Sequence, residues 1–296
     1  MTVFFSLFKR NIKLFFKDKG MFVTSLITPL ILLVLFMTFL GQVYHDSFSS
    51  ALPAGLLEDD TLIDAIVGGQ LVSSLLAVCC VTVAFCSNLL MVQDKVSGAR
   101  RDLTITPVKN SVMALSYYSA TLVSTLIICL VATAAGFAYL AHSGWYLSGS
   151  DVLLVLLDVL LLTLFGTALS SIINFFLSSQ GQISAVSTII SAGYGFICGA
   201  YMPISQFSDG LQKVLSFLPC THGTSLIRNH TMQGAFAKLE QQIPSEVVDI
   251  LKDTVDCNIY LMGDKMTLSL MYAILGVTTA VMIFIYVLIN ILKKSR

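Results

Sequence analysis

Long apolar runs alternate with short polar segments along most of this chain. An α-helix rises about 1.5 Å per residue, so roughly 20 apolar residues cover the ~30 Å hydrocarbon core of a bilayer. The runs that reach this length cover residues 21–41, 66–92, 111–141, 151–177, 183–201 and 266–292. The pattern predicts an all-α integral membrane protein with six transmembrane helices.

The segment before the first run follows a different pattern. Between residues 1 and 20, apolar side chains recur with helical periodicity, and basic side chains gather on the opposite face. A secretory signal would instead place a basic start before a separate apolar core. Residues 1–20 are therefore predicted to form an amphipathic helix that lies in the plane of the membrane interface.

Composition supports a membrane protein. The 296 residues are 56% hydrophobic and only 11% charged, and the mean hydropathy is +0.85. A soluble domain carries about 25% charged residues. No repeat or linker divides the chain, so residues 1–296 are expected to form a single membrane domain.

The formal net charge of zero hides a segregation of the basic residues. They cluster before the first run, in segment 93–110 and after the last run, whereas segments 42–65 and 142–150 contain no Lys or Arg. Short basic loops remain in the cytoplasm, while long loops cross largely regardless of charge. We therefore predict cytoplasmic termini, a plasma-membrane location and an extracellular cap at 202–265.

Segment 93–110 contains four basic residues, Lys95, Arg100, Arg101 and Lys109. A helix in this segment cannot bury itself in lipid, so it is expected to lie at the membrane surface, accessible to a cytoplasmic partner. The chain has no phosphate-binding loop, zinc-protease helix or serine elbow. The sequence therefore predicts that this chain is not catalytic by itself and binds no cofactor, and that it has no nucleic-acid partner.

The same segment resembles the permease subunits of type-2 ATP-binding-cassette (ABC) exporters of the ABCG-like class. Those subunits carry an acidic–basic pair after the second span, then a Gly, and a Thr-Pro or Ser-Pro before the third. The matching residues here are Asp94, Lys95, Gly98, Thr106 and Pro107. Arg100 and Arg101 depart from the apolar or acidic residues usual there. The resemblance implies that 93–110 forms a coupling helix that docks on an ATP-binding subunit.

A second resemblance follows the fifth run. Pro203, then Leu218-Pro219, and Arg228 are similar to a family pattern of small residue, Pro, Leu-Pro and Arg. In the family, two short helices at this point re-enter the outer leaflet before the last span. The resemblance implies extracellular re-entrant helices within residues 202–265.

Taken together, these features predict the permease subunit of an ATP-driven exporter. ATP and Mg would belong to a separate cytoplasmic ATP-binding subunit, and a second permease copy, identical or paralogous, would complete the assembly in the lipid bilayer. The apolar spans favour a hydrophobic or amphipathic substrate, such as a drug, a lipid-like compound or a peptide. The alternatives are an ion-coupled transporter or channel without an ATPase, and a membrane-embedded enzyme.

Three features within or near the spans have more than one interpretation. Asp158 lies about two turns inside the fourth run, and is either a functional intramembrane acid or an outer-leaflet partner of Arg228 or Lys213. Gly195 and Gly199 have the Gly-x-x-x-Gly spacing of close helix packing, which suits a dimer seam. Cys220 and Cys257, in the polar region of the chain, could form a disulfide.

Overall fold

The computed structural model describes residues 2–51, 61–105 and 108–292. These residues fold almost entirely into helices, with one short β-hairpin. The helices are α1 (Thr2–Lys17), α2 (Lys19–Leu35), α3 (Gly41–Ala51), α4 (Thr61–Val96), α5 (Ala99–Ile105), α6 (Asn110–Ser143), α7 (Gly149–Phe176), α8 (Gln180–Ile197), α9 (Asp209–Ser216), α10 (Pro219–Leu239), α11 (Ser245–Thr254) and α12 (Leu268–Leu292). A π-helical turn, Phe36–Leu40, joins α2 to α3, a 3-10 turn covers Ile204–Gln206, and strands β1 (Tyr260–Leu261) and β2 (Asp264–Lys265) form the antiparallel hairpin.

Within the described residues, five helices are long and apolar enough to cross a membrane: Lys19–Asp46, Thr61–Val96, Asn110–Ser143, Gly149–Phe176 and Leu268–Leu292. They correspond to the predicted first, second, third, fourth and sixth runs. Helix α8 corresponds to the predicted fifth run but is not among the five. It starts with Gln180 and Gln182 and carries several hydroxyl side chains, so its composition is less apolar. Six crossings therefore remain a prediction.

Helix α4 is the centre of the bundle. It is apolar around its whole circumference, and nearly every residue from Leu62 to Asp94 is buried, as expected for a helix enclosed by other helices. Helices α2, α6, α7, α8 and α10 all pack against it. At about 1.5 Å per residue its 36 residues span about 54 Å. It therefore connects the two ends of the bundle.

The outer helices expose apolar side chains that a soluble protein would bury. Val277, Phe284 and Ile291 on α12, and Leu30 and Val34 on α2, are all exposed. Exposed apolar surface of this extent marks an interaction site, and lipid provides the apolar surroundings of an integral membrane protein. The observed helices and surface confirm the prediction of an all-α integral membrane protein.

The predicted cap at 202–265 contains α9, α10, α11 and the hairpin. Helix α10 begins at Pro219, a residue suited to the first helical turn because its missing N–H has no partner there. Although α10 is rich in polar residues, most of its side chains are buried against α4, α7 and α12. We call the end of the bundle formed by α9, α10 and α11 the cap end. The opposite end, with α1 and α5, is the basic end.

Candidate coupling surface, cap and lateral groove

The predicted coupling segment forms a tight turn followed by a short helix. Helix α4 continues through Lys95 to Val96, and Gly98 then adopts φ +83°, a left-handed conformation that favours glycine. Helix α5 follows with seven residues. Gly98 therefore serves the turn that reverses the chain. Thr106 and Pro107 lie outside the described residues.

Asp94 is buried and links three elements at the basic end. Its two carboxylate oxygens accept hydrogen bonds from Arg10 on α1 at 2.7 and 3.0 Å. The Tyr117 hydroxyl on α6 donates to the same carboxylate at 2.5 Å. This charge-assisted, bidentate geometry is among the stronger protein hydrogen bonds, and the bond to Asp94 raises the pKa of Arg10. Asp94 therefore holds the end of α4 against α1 and α6.

Lys95 performs a similar task on the other side of α4. Its ammonium donates to the backbone carbonyls of Asn174, Phe175 and Leu177 at 2.9, 2.7 and 3.0 Å. These carbonyls lie at the C-terminal end of α7, where helix carbonyls lack intrahelical partners and the helix dipole favours a cation. Lys95 therefore ties the end of α4 to the end of α7.

The two arginines of α5 face different surroundings. Arg100 is only partly exposed, and its Nη1 atom is buried against the bundle. Arg101 and Asp102 are exposed, and Ile105 is 79% exposed. We call the exposed residues Arg101, Asp102 and Ile105 the α5 patch. All three side chains lie within about one turn of the same short helix at the basic end.

Arg228 organises the cap end. It is 1% exposed and donates to Asp256 at 3.1 Å, to the Gly199 carbonyl at 2.5 Å and to Ser74 on α4 at 3.4 Å. Asp256 also accepts from the backbone N–H of Ile204 at 2.6 Å, next to Pro203. Burial raises the pKa of Asp256, and the charge of Arg228 opposes this effect. Arg228 therefore joins α10 to α4, to the end of α8 and to the loop after α11.

Asp158 does not pair with Arg228, so the predicted ion pair with Arg228 or Lys213 is wrong. The described partners of Asp158 are His230 on α10 and Tyr272 on α12, at 2.6 and 2.5 Å. The reason is competition, because Asp256 in the loop after α11 already occupies the guanidinium of Arg228.

Gly195 and Gly199 make close contacts within their own chain. A Cβ atom on Gly195 would lie 2.4 Å from the Tyr201 ring, and the Gly195 carbonyl accepts from the backbone of Ala200 and Tyr201. Gly199 has φ +72° and offers its carbonyl to Arg228. These contacts within the chain explain why glycine suits both positions. That Gly195 and Gly199 also pack at a dimer seam remains a prediction.

Cys220 and Cys257 are both buried free thiols, so the structure does not contain the disulfide that the sequence left open. Burial raises the pKa of Cys257 to about 12. At neutral pH its thiol is therefore protonated and a poor nucleophile.

A lateral groove of about 1360 Å³ runs along one side of the bundle. Helices α2 and α8 form its walls and α4 contributes to its floor. One wall is apolar and includes Ile27, Ile31 and Leu35; the other carries hydroxyl side chains. These are Ser184, Ser187, Thr188 and Ser191. Their spacing puts all four on one helical face, which explains why α8 is less apolar than the other long helices.

Sequence reasoning missed five partners at these sites: Arg10, Tyr117, Asp256, His230 and Tyr272. Each lies far along the chain from the residue that it contacts, between 23 and 114 positions away. Among these partners, Arg10 could have been suspected from the sequence because it is one of the basic residues on the predicted interfacial helix. Nothing in the sequence marked the two tyrosines or the histidine as partners of the site residues.

These features define a class of protein: a multi-pass membrane permease with a short surface helix at one end and a buried polar cap at the other. The family model described as ABC-2 type transporter matches residues 2–231, well over half of the chain. The chain therefore belongs to the ABC-2 type transporter family and is an ABC-type permease. A search of the curated proteins finds no match.

Proposed function

We propose that this permease is the membrane half of an ATP-driven exporter, with six crossings, cytoplasmic termini and a location in the plasma membrane. In this topology α5 lies in the cytoplasm and α9 to α11 form an extracellular cap with re-entrant helices. Members of the family normally work with an ATP-binding subunit and form dimers. ATP and Mg would bind to that partner subunit, and this chain would supply the substrate path.

The α5 patch is the observation that carries the proposal. It offers a cation, an anion and a large apolar side chain on one exposed short helix, which suits docking to a folded cytoplasmic subunit. Behind it, Asp94 and Lys95 connect the end of α4 to α1, α6 and α7. A push on α5 would therefore reach several helices at once.

The lateral groove supports pairing with a second permease copy, because α8 presents a hydroxyl face where a membrane helix in lipid would be apolar. A second copy, or a paralogue, facing this groove would enclose a path lined by α2, α4 and α8 of each chain. Such a pairing would use α2 and α8, which line the groove, because α4 is almost entirely buried within its own chain. The combination of apolar and hydroxyl walls favours an amphipathic cargo, such as a drug, a lipid-like compound or a peptide.

The test is to purify the chain with the ATP-binding subunit encoded beside it and to measure ATPase activity in lipid. Charge reversal at Arg101 (Arg101→Glu) should weaken binding of that subunit, since the residue is exposed on α5. Charge reversal at Arg100 should leave docking largely intact and impair coupling, because Arg100 is partly buried against the bundle. Lys13→Glu, on an exposed basic residue of α1 outside segment 93–110, is the matched control for charge.

Two results would contradict the proposal. One is an Arg100→Glu/Arg101→Glu double variant with unchanged binding and unchanged ATPase stimulation. The other is a cysteine at Ser97 that reacts with an impermeant reagent from outside intact cells, since the topology would then be inverted.

A further inference from the structure

Three titratable side chains meet inside the bundle near the cap end. Asp158 of α7 is fully buried, and its two carboxylate oxygens face different partners. The imidazole Nδ1 of His230 on α10 lies 2.6 Å from one oxygen. The Tyr272 hydroxyl on α12 donates to the other at 2.5 Å, and the rings of His230 and Tyr272 stack with centroids 6.2 Å apart.

The charge balance of this cluster requires a proton. A carboxylate without a compensating charge is costly in so dry a place. One proton shared between Asp158 and His230 makes the cluster neutral overall, either as an ion pair or as two uncharged groups. The Tyr272 hydroxyl supplies a hydrogen bond but no charge, so His230 is the group that compensates Asp158.

Other groups on the packed elements do not supply that charge. Arg228, two residues from His230, is bonded to Asp256, and α4 meets α10 at Gly69 and Ser74, which do not titrate. The other charged or titratable groups on the cap-end parts of the elements around the cluster are Asp64, Cys79 and Cys80 on α4, Cys129, Tyr139 and His142 on α6, Asp151 on α7, Asp209 and Lys213 on α9, and Cys220, His222 and Lys238 on α10, and the cap-end half of α12 adds none besides Tyr272. None of these groups has a described hydrogen bond or ion pair with Asp158 or His230.

We propose that Asp158, His230 and Tyr272 form a proton-binding site whose occupancy is linked to the docking of α10 against α7 and α12. With α10 docked, the cluster holds one proton. When α10 separates, Asp158 and His230 return to water, where an ordinary carboxyl and imidazole titrate near pH 3.9 and 6.5.

The direction of the linkage follows from these two states. Below about pH 6.5 the separated imidazole keeps its proton, so separation releases no proton to the water. Above about pH 6.5 that proton leaves the imidazole nitrogen for bulk water, and separation becomes favoured by up to about tenfold per pH unit. Rising pH at the cap end therefore opens this contact. The proton site itself is independent of the proposed function. A role of this opening in an export cycle rests on the proposed function.

Hydrogen–deuterium exchange of the α10 amides in the full chain, held in lipid nanodiscs between pH 6 and 8.5, tests the proposal without cargo or ATPase. After correction for the intrinsic exchange rate, the opening constant of the wild type should be flat below about pH 6.5. Above that pH it should rise by up to about tenfold per unit. Asp158→Asn should remove the rise above about pH 6.5, because a docked, uncharged His230 has no proton to release. His230→Gln should instead start to rise already below pH 6.5, because the buried Asp158 then holds the proton itself and its separated carboxyl releases that proton at every pH tested.

Two further variants separate protonation from packing. His142→Gln, which alters an exposed histidine near the end of α6, should keep the slope. Tyr272→Phe retains the stacked ring and should also keep the slope, while increasing opening at every pH. A flat wild-type profile, or an onset that stays near pH 6.5 in His230→Gln, overturns the proposal even if Asp158→Asn does not fold. Such failure would leave ATPase binding at α5 unaffected, so the two proposals fail separately.

Discussion

The two ends of this permease both contain an arginine–aspartate pair, but water reaches the two pairs very differently. At the cap end, Arg228 and Asp256 have side chains that are 1% and 5% exposed. At the basic end, Arg10 is 31% exposed and Asp94 is 8% exposed. The first pair is enclosed by α4, α8 and α10, whereas the second lies where α1 meets the bundle.

The two pairs are chemically similar, but the difference in exposure means that they contribute differently to stability. Breaking a buried pair leaves a charge that neither water nor protein compensates, and the fold then loses several kcal/mol. When the partly exposed Arg10 is removed, water can reach the Asp94 carboxylate from that side, so the loss of stability should be smaller than at the enclosed pair. We infer that the cap pair maintains the architecture, whereas the Arg10–Asp94 pair matters through the helices that it connects.

The largest expected effect follows from breaking the cap pair. Arg228→Leu should lower the free energy of unfolding by about 3–5 kcal/mol because it leaves Asp256 buried and unpaired. Trp145, the single tryptophan, lies in the loop beside α10 and can report SDS-induced unfolding in mixed micelles. Asp256→Asn suits the left-handed backbone at this position, φ +53°, better than most replacements.

The double variant Arg228→Leu/Asp256→Asn supplies the control, since it removes both charges. It should be less destabilised than the sum of the single variants. Additive losses would mean that the two charges do not interact, and the proposed contrast between the ends would lose its basis.

The second prediction asks whether the cap is also tightly packed. A Cβ atom on Gly234 of α10 would lie 1.8 Å from the carbonyl oxygen of Tyr146. Gly234→Ala should therefore cost about 1–3 kcal/mol in the same unfolding assay, as overpacking does. Gly276→Ala on α12, where nothing lies within 4 Å, should be neutral or slightly stabilising because alanine favours helix. Equal effects of the two substitutions would argue against a close-packed cap.

The sequence predicted the helices better than the contacts between them. Apolar runs of about 20 residues indicate spans because bilayer thickness sets their length, and the observed α4, α6, α7 and α12 agree with that expectation. The run 183–201 was predicted as a span in the same way, but α8 is not among the five described helices that are long and apolar enough to cross a membrane, because its hydroxyl face dilutes its apolarity. Such a face is recognisable only when its three-dimensional neighbours are known.

The candidate sites were only partly predicted, again because contacts between helices do not follow from the local sequence pattern. The local pattern placed Asp94 and Lys95 in a polar segment directly after a span, whereas Gly98 was singled out only by the family resemblance, and its turn is a finding of the structure. The partners of Asp94 and Lys95 are set by tertiary packing, which brings Arg10 to Asp94 across 84 positions. For Asp158, Arg228 was a reasonable partner by charge, yet Asp256 in the loop after α11 binds it instead. Which charged groups pair depends on which distant residues the fold brings together. A single sequence does not contain that information.

The third prediction concerns the basic end, where the expected loss in the free energy of unfolding is smaller. Arg10→Gln should lower the free energy of unfolding by about 1 kcal/mol or less, because the pair is partly exposed and Tyr117 still donates to Asp94. In the assembled complex it should nevertheless reduce stimulation of ATPase activity by cargo, since α1 is no longer tied to α4. Lys9→Gln, at the neighbouring exposed position, is the matched control. An Arg10→Gln loss as large as that of Arg228→Leu would remove the contrast between the two ends.

The smallest expected effect tests whether the cap is held without a covalent link. Cys257 is buried and its pKa is raised to about 12 by desolvation, so almost no thiolate is present at pH 8 to start thiol–disulfide exchange. Unreduced protein, denatured and then alkylated, should show by mass spectrometry that all seven cysteines are modified. Cys257→Ser should leave migration on a non-reducing gel unchanged. Five modified cysteines instead, with Cys220 and Cys257 in one crosslinked peptide, would mean that a disulfide reinforces the cap. The Arg228–Asp256 pair would then be one of two ties at that end, and the loss expected for Arg228→Leu would shrink accordingly.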